Sequence, residues 1–389
     1  MKVRFRPTSG DSFLGRFAYE HVVSPDHFLV KLRDLINWER FTPRFVGLYA
    51  GEGKRGPMAY QPVIVFKMLL LAYLYNLSER DVERYCLENI PARLFLDVSL
   101  ADPIPDHSTL SLFRSRIEGV PDPAKNNTRK GKRNHLETQY RALFDEIFQQ
   151  AIGLGIQLGN IQIVDSVHTV ANVNNEKDRI RQESGKDSVD PDATVVHKGT
   201  RDVTAPDGKV THQEITYRGY KTHTSMDAET RMVTSLLTTP GSEADYLQFA
   251  QLLKLDEDRK VPGKAYVADR GYDSCELHHL LQKEKHKNDA LGLCSTRTTK
   301  KDPTREQWIK LKESAEWQDG QRQRYAIEAK FGESKAWHRF GRCRYRGMLR
   351  YVAQAFLTFM VLNIKRMVYL VSGAPLRGEP QRRMTPAAA

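Results

Sequence analysis

Cysteine is scarce in this sequence of 389 residues. The four cysteines are far apart and include no CxxC pair: Cys86, Cys275, Cys294 and Cys343. That spacing argues against a structural zinc site and against a disulfide framework. We therefore expect reduced thiols and a cytoplasmic protein.

Long apolar runs are also scarce. The first residues, MKVRFRPTSGDSF, lack the apolar core of a signal peptide. The most apolar late segment, YVAQAFLTFMVLNI at 351–364, is too short to span a bilayer and is flanked by Arg350 and Lys365. The sequence predicts a buried helix there and no membrane partner.

Acidic residues are fewer than basic ones, 48 against 60, which gives a formal net charge of +12. This balance favours a polyanionic partner, most simply nucleic acid. A merely basic soluble protein has the same balance, so charge alone leaves both interpretations open. The length is sufficient for two or three domains, each with its own core.

Residues 1–60 form an N-terminal segment that we expect to be partly helical, and residues 61–120 are helical throughout. Three runs, QPVIVFKMLLLAYLYN, SERDVERYCLEN and DHSTLSLFRSRIEG, read as short helices, and the last carries Arg114 and Arg116. A basic final helix after two others is typical of a helix-turn-helix-like DNA-binding domain. Many small helical bundles share this pattern.

Residues 121–158 read as a basic linker and a connecting helix. PDPAKNNTRKGKRNH is rich in Pro, Asn, Gly and basic residues, as in an arm along a DNA backbone or a solvated loop. The C-terminal residues 373–389 read as a disordered tail.

Between residues 159 and 372, strand-like and helix-like runs alternate. IQIVDS, a hairpin EITYRGYKTHTSMDAETRMVTSLLTT, KAYVAD and DALGLCS read as strands. SEADYLQFAQLLKL, with Ser242 as N-cap, and SCELHHLLQKEKHK read as helices. The very polar stretch 171–213 reads as a long, partly disordered loop. The order predicts an α/β domain with an RNase H-like mixed sheet flanked by helices.

Three carboxylates stand out along this domain. Asp165 and Asp269 each end a strand-like run, and Glu328 lies in the helical run RQRYAIEAKFGESKAWHRF. Arg324 and Lys335 lie four positions before and seven after Glu328, close to the same helix face. Magnesium prefers oxygen ligands, and two such ions can stabilise both oxygens of a phosphodiester displacement. Alternatively, Glu328 is solvated and the two bases pair with acids on the helix surface.

The segments PDHSTLSLFRSRI, VDSVHTVANVN, YRGYKTHTSMD, LTTPGSEAD, VADRGYDS and RYAIEAKFGESKAWHRFGRCRYRG follow one another in this order. Together they resemble bacterial insertion-sequence transposases of the DDE class, from about residue 60 to 370. Arg324, Glu328 and Lys335 match a signature of related groups, Tyr-x2-Arg-x3-Glu-x6-Lys. Gln321 stands at the tyrosine position, which leaves the formation of a hairpin intermediate open.

The resemblance implies that Asp165, Asp269 and Glu328 bind Mg²⁺, for which Mn²⁺ may substitute. Water would attack a phosphodiester at the end of the element, and the freed 3′-hydroxyl would attack target DNA. The implied partner is double-stranded DNA, both transposon ends and target, bound by a homodimer at the bacterial nucleoid.

Several basic residues are candidates for DNA contact, and the late ones are interleaved with Trp337, Phe340 and Tyr345. Such a mixture suits phosphate binding and base stacking, although a solvated helix end has the same composition. The predicted DNA-binding residues are Arg324, Lys335, Arg339, Arg342, Arg344, Arg346, Arg114 and Arg116.

Two other functions stay open. One is a catalytically inactive, transposase-derived DNA-binding protein. The other is a metal-dependent DNA nuclease without strand transfer. The presence of all three acids and both bases favours an active enzyme, and the N-terminal helices favour recognition of specific ends.

Overall fold

The computed structural model describes residues 5–8, 13–49, 58–119, 129–204, 210–282, 291–294, 306, 309–310 and 312–374. By its contacts the chain divides into two compact units. The first comprises Met1–Gln157, Ala336–His338 and Phe356–Ala389, and the second comprises Leu158–Lys335 and Arg339–Ala355. The predicted domains are finer than this division, and their boundaries stay a prediction.

The first unit is helical over its described residues. Its first eight α-helices are α1 (Phe13–Val22), α2 (Phe28–Leu35), α3 (Thr42–Gly47), α4 (Pro62–Leu74), α5 (Glu79–Glu88), α6 (Ile90–Leu96), α7 (His107–Gly119) and α8 (Arg129–Gly153). Helix α4 is apolar all round and buried along nearly its whole length, as expected for a core helix. Ser78 caps α5 by accepting a hydrogen bond from the backbone N–H of Asp81 at 3.1 Å.

Helix α8 corrects the prediction of a linker through residue 135, because it is helical from Arg129 onward. Its first eight residues contain four Lys or Arg, which have good helix propensity, and Gly131 is the residue among them that most opposes a helix. Charge density was therefore a poor guide to local structure. The preceding residues, 121–128, lie outside the described part of the chain.

Over its described residues, the second unit is built on one sheet of six strands. They are β1 (Ile161–Val170), β2 (Thr194–Thr204), β3 (Val210–Asp227), β4 (Val233–Pro240), β5 (Ala265–Ala268) and β6 (Leu291–Cys294). Strand β3 is long enough to pair with both β2 and β4, and also with β1. Apart from β2, the strands lie in the order β4-β3-β1-β5-β6. The pairs β4–β3 and β3–β1 are antiparallel, and the pairs β1–β5 and β5–β6 are parallel. This is the predicted RNase H-like mixed sheet.

The predicted loop over residues 171–213 is wrong, since it contains β2 and helix α9 (Asn175–Glu183). Both elements are too polar for a periodic pattern, and polar contacts hold α9. The Arg218 guanidinium bonds the Asp178 carboxylate at 2.6 Å, and Asn174 caps the helix through the Lys177 N–H at 3.0 Å. Strand β2 pairs with β3 through a bulged register, so backbone bonds rather than apolar side chains define it.

Helices cover both faces of the sheet. Helices α10 (Tyr246–Asp258) and α11 (Cys275–Gln282) enclose a cluster that includes Val164, Phe249 and Tyr272. On the opposite face, the Tyr351 hydroxyl lies 2.7 Å from that of Thr222. Strand β1 is thus fixed from both sides.

The late helices are α12 (Ala315–Gln323), α13 (Tyr325–His338) and α14 (Met348–Ser372). The predicted single helix around Glu328 is two helices that meet at Arg324, whose backbone keeps right-handed helical dihedrals. Helix α14 is longer than the predicted apolar segment. By length and composition alone it could cross a membrane, but 67% of its apolar window is buried within the protein, as in a core helix.

Candidate active site

Strand register brings the two predicted aspartates together. Strands β1 and β5 are parallel, with Val164 opposite Ala268, and Asp165 and Asp269 are the next residue of each. Asp269 leaves the strand immediately, and its carboxylate accepts a hydrogen bond from the N–H of Gly271 at 2.7 Å. A Cβ at Gly271 would lie 2.9 Å from that oxygen, so the turn requires close approach of the backbone.

Asp165 lies in an environment that disfavours its negative charge. Its pKa is raised to about 7, mainly because burial removes water and also because Asp269 is negative. The Ser166 N–H, which donates to the Asp165 carboxylate at 2.7 Å, and the Arg324 charge partly oppose this shift. A cation between the two carboxylates would relieve both burial and repulsion, so this pair fits a divalent metal ion.

Glu328 is placed differently. Its carboxylate is 56% exposed and forms an ion pair with the Arg324 guanidinium at 3.0 Å. For Arg324, the expected alternative of pairing with an acid on the helix surface is therefore confirmed. Within the described ranges, no group of three His, Cys, Asp or Glu side chains is arranged to hold a metal ion. The structure thus unites Asp165 with Asp269, while Glu328 is held by Arg324, whose charge also acts on Asp165.

Gln321, at the signature's tyrosine position, lies beside the same strand end. Its Nε2 donates a long hydrogen bond of 3.4 Å to the carbonyl oxygen of Ala268, the residue before Asp269. The contact fixes α12 against β5 and places an uncharged amide, not a phenol, at this position.

Asp245 is a neighbour of the site that the sequence analysis missed. Its negative charge contributes to the raised pKa of Asp165, and it pairs with the Lys221 ammonium at 3.0 Å. The predicted N-cap Ser242 is wrong, because the helix begins at Tyr246 and Asp245 precedes it. The position of Asp245 beside the site depends on its tertiary contact with Lys221.

A buried tyrosine and a buried histidine also lie in this environment. The buried Tyr272 hydroxyl has a pKa raised by burial and by the charges of Asp245, Asp165 and Asp269. His223 is buried beside Asp245, and burial lowers the pKa of its imidazole to about 4. Both groups are therefore neutral near pH 7 and can serve only as dipoles or hydrogen-bonding groups.

The predicted DNA-binding residues are divided between the two units, with Arg114 and Arg116 in the first unit and the others in the second. Arg114 is a correction, since its guanidinium is buried at 7% exposure and pairs with Glu79 at 3.2 Å and with Glu118. A role in DNA contact would require this buried pair to break. Arg116 lies over the ring of Tyr49, 4.3 Å from its centroid.

The remaining candidates lie on α13, at its start, and in the loop between α13 and α14. Lys335 is exposed on α13, and Arg339 ends that helix in the left-handed conformation, with a φ of 56°. Arg342 and Arg346 are exposed, and Arg344 is half-buried.

Asp227, His278 and His168 make structural contacts within the second unit. Asp227 shapes its turn by accepting hydrogen bonds from the Thr230 N–H and hydroxyl. His278 is buried, and its Nε2 lies 3.2 Å from the Asp273 carboxylate. His168 packs edge-on against Tyr217.

Comparison with known proteins gives two family matches. Residues 17–116 match a transposase domain, DUF772, and residues 183–364 match the Transposase DDE domain. Together the two segments include most of the chain.

Among solved structures, the chain is similar to the piggyBac transposase in a synaptic complex with hairpin DNA. The identity is 11% and the TM-score 0.46, over 92% of this chain and 77% of that one. It is also similar to the Mos1 transposase in a paired-end complex with the left transposon end. There the identity is 12% and the TM-score 0.19, over 76% and 84% of the two chains. Both TM-scores are low, so these similarities add no detail about the site.

Proposed function

Because this chain belongs to the insertion-sequence transposases of the DDE class, we propose that it binds the ends of its element and cleaves phosphodiester bonds there. The freed 3′-hydroxyl ends are then joined to target DNA. The observation that carries this proposal is the β1–β5 register, which sets Asp165 beside Asp269 at the end of a parallel strand pair.

The residues that would hold divalent metal ions are Asp165, Asp269 and Glu328, with Mg²⁺ as the natural ion and Mn²⁺ as a substitute. When bound, such ions supply charge stabilisation at the attacking and leaving oxygens of the phosphodiester. The Asp165 carboxyl must lose its proton to act as a ligand, because its raised pKa leaves it partly protonated near pH 7. Glu328 must leave its ion pair with Arg324 to join the two aspartates.

The release of Glu328 gives Arg324 a second role. Its guanidinium, freed from the carboxylate, can bind a phosphate with two parallel hydrogen bonds. Lys335, two turns further along α13, adds a point charge for the same DNA strand. The Arg324–Glu328 pair thus holds the site in a resting arrangement until metal and DNA are present together.

The proposal is tested by cleavage of DNA that spans both flanks of the gene, with Mg²⁺ or Mn²⁺. We compare the unmodified protein with Glu328→Gln and with a matched control, Glu333→Gln. Glu333 lies on the same helix and pairs with Lys330 at 3.3 Å, away from Arg324. We expect nicks at a defined flank position, lost in Glu328→Gln and kept in Glu333→Gln.

Other outcomes separate the alternatives. Binding of the flanks without cleavage under either metal would identify a DNA-binding relic. Cleavage without joining of 3′ ends would identify a nuclease. Cleavage that persists in Glu328→Gln would remove Glu328 from the proposed metal ligands.

A further inference from the structure

The loop between the last two helices concentrates positive charge. We call residues 339–347 the arginine loop. It carries Arg339, Arg342, Arg344 and Arg346, with Arg350 shortly after, and no acidic residue interrupts 339–350. All of these side chains except that of Arg344 are exposed. Flexible basic loops are common on protein surfaces, so what distinguishes this loop is how its backbone is held.

The first part of the loop is hydrogen-bonded to β1 and to α14. The Val170 N–H donates to the Gly341 carbonyl at 3.0 Å, and the Cys343 N–H donates to the Val170 carbonyl at 2.8 Å. The Gln354 side chain accepts from the Arg344 N–H at 2.7 Å and donates to the Arg342 carbonyl at 3.0 Å. Gln354 is itself fully buried, so these bonds are shielded from water.

The second part of the loop is held by the segment that precedes β2. The buried Asp190 carboxylate accepts hydrogen bonds from the Gly347 N–H at 3.2 Å and from the Tyr220 hydroxyl at 2.6 Å. The Asn172 backbone carbonyl accepts from Arg346 Nε at 3.1 Å. The charges are therefore presented from a fixed backbone, which lowers the ordering entropy that binding would otherwise cost.

The loop also occupies a defined edge of the sheet. The Ala171 N–H donates to the backbone carbonyl of Arg218 in β3. By contrast, the N–H and the carbonyl of Val170 both form hydrogen bonds with the backbone of the arginine loop. Since successive residues of a strand bond to opposite edges, the loop lies on the edge of β1 that faces away from β3. That is the edge occupied by β5, which ends opposite Val164.

Along this edge of β1, the last β5 pair is Val164 with Ala268. Asp165 and Asp269 come directly after that pair, and the arginine loop begins to bond β1 at Val170. From Asp165 to Val170 is five residues, or roughly 17 Å along an extended strand. Duplex DNA rises about 3.4 Å per base pair, so a duplex whose axis runs parallel to β1 would span about five base pairs, half a helical turn, over this distance.

We propose that the arginine loop binds the phosphate backbone of duplex DNA about five base pairs from the phosphate that lies at Asp165 and Asp269. The inference rests on the proposed function, because the reacting phosphate sets the origin of that distance. Arg342 and Arg346 supply the exposed charges, and Asp190 is a positioning residue that holds the loop without touching DNA. The contact is to phosphates and carries no sequence preference of its own.

The test measures the salt dependence of binding to a short duplex in EDTA, where no cleavage occurs. The variant is Arg342→Gln with Arg346→Gln, and the control is Lys254→Gln with Lys264→Gln. The control lysines are exposed in the same unit, and Lys264 lies at the opposite end of β5 from Asp269. Between about 50 and 200 mM potassium chloride, loss of two phosphate contacts lowers the slope of log K against log salt by roughly 1.8. We expect that change in the variant and an unchanged slope in the control.

The single variant Arg342→Gln guards against a folding effect, and a loss of roughly 0.9 in slope is expected for it. Phosphate-ethylation interference on a cleaved flank then locates the contact, about five base pairs from the nick, and the signal disappears in the double variant. An unmodified protein that binds no duplex would overturn the proposed function together with this inference. Duplex binding with equal slopes in all proteins, or interference at other positions only, would overturn this inference alone.

Discussion

At the scale of single residues, the proposed role of Asp165 as a metal ligand predicts that metal binding depends on pH. Its pKa of about 7 means that a proton competes with the metal ion below that pH, whereas the carboxylate is already charged above it. We expect Mn²⁺ affinity to weaken roughly tenfold as the pH falls from about 8 to about 6. Electron paramagnetic resonance of free Mn²⁺ measures this, with the exposed Asp258→Asn as control. Equal affinity at both pH values would show that Asp165 is not a ligand.

Residue types and their spacing predicted the pair Asp165 and Asp269, because each ends a strand-like run and the expected sheet makes those strands parallel neighbours. They could not predict Asp245, whose contribution depends on a contact with Lys221, 24 residues earlier. They also misjudged Arg114, since a basic residue on a short helix has the same sequence signature whether it faces solvent or pairs with the half-buried Glu79. Such distinctions arise from tertiary pairing, which local sequence does not encode.

At the scale of elements, the pairing of β1 with β3 depends on Gly219. A Cβ there would lie 2.1 Å from the backbone oxygen of Thr169, so Gly219→Ala must separate the strands that position Asp165. We expect a loss of about 1–3 kcal/mol or more in stability, seen as a lower melting temperature of the second unit by calorimetry. Gly332 in α13 is the matched control, because a Cβ there meets nothing within 4 Å. Gly332→Ala should instead raise stability by about 1 kcal/mol. Equal melting temperatures for the two variants would contradict the strand-contact argument.

Elements with apolar periodicity were predicted well, and those held by polar bonds were not. Strands β1 and β5 and helix α4 are rich in apolar residues, so their burial is visible in the sequence. Helix α9 and strand β2 contain few apolar residues and depend on Arg218, Asp178 and backbone pairing with β3. The break at Arg324 was equally hidden, because its dihedrals stay helical and only the hydrogen-bond pattern changes.

At the scale of the whole molecule, one chain contains one pair of Asp165 and Asp269, which under the proposed function would hold one reacting phosphodiester at a time. An insertion sequence has two ends, so simultaneous reaction at both ends requires two copies. The formal charge of +12 per copy opposes self-association in the absence of DNA, and bound phosphates neutralise it. We therefore expect copies of 44.6 kDa to be separate in solution and to assemble as two copies on two end duplexes. Mass photometry with Ca²⁺, which allows binding without turnover, distinguishes these states, with an unrelated duplex of equal length as control. A complex of one copy on one end, at every protein concentration that saturates the DNA, would show that each end is processed independently.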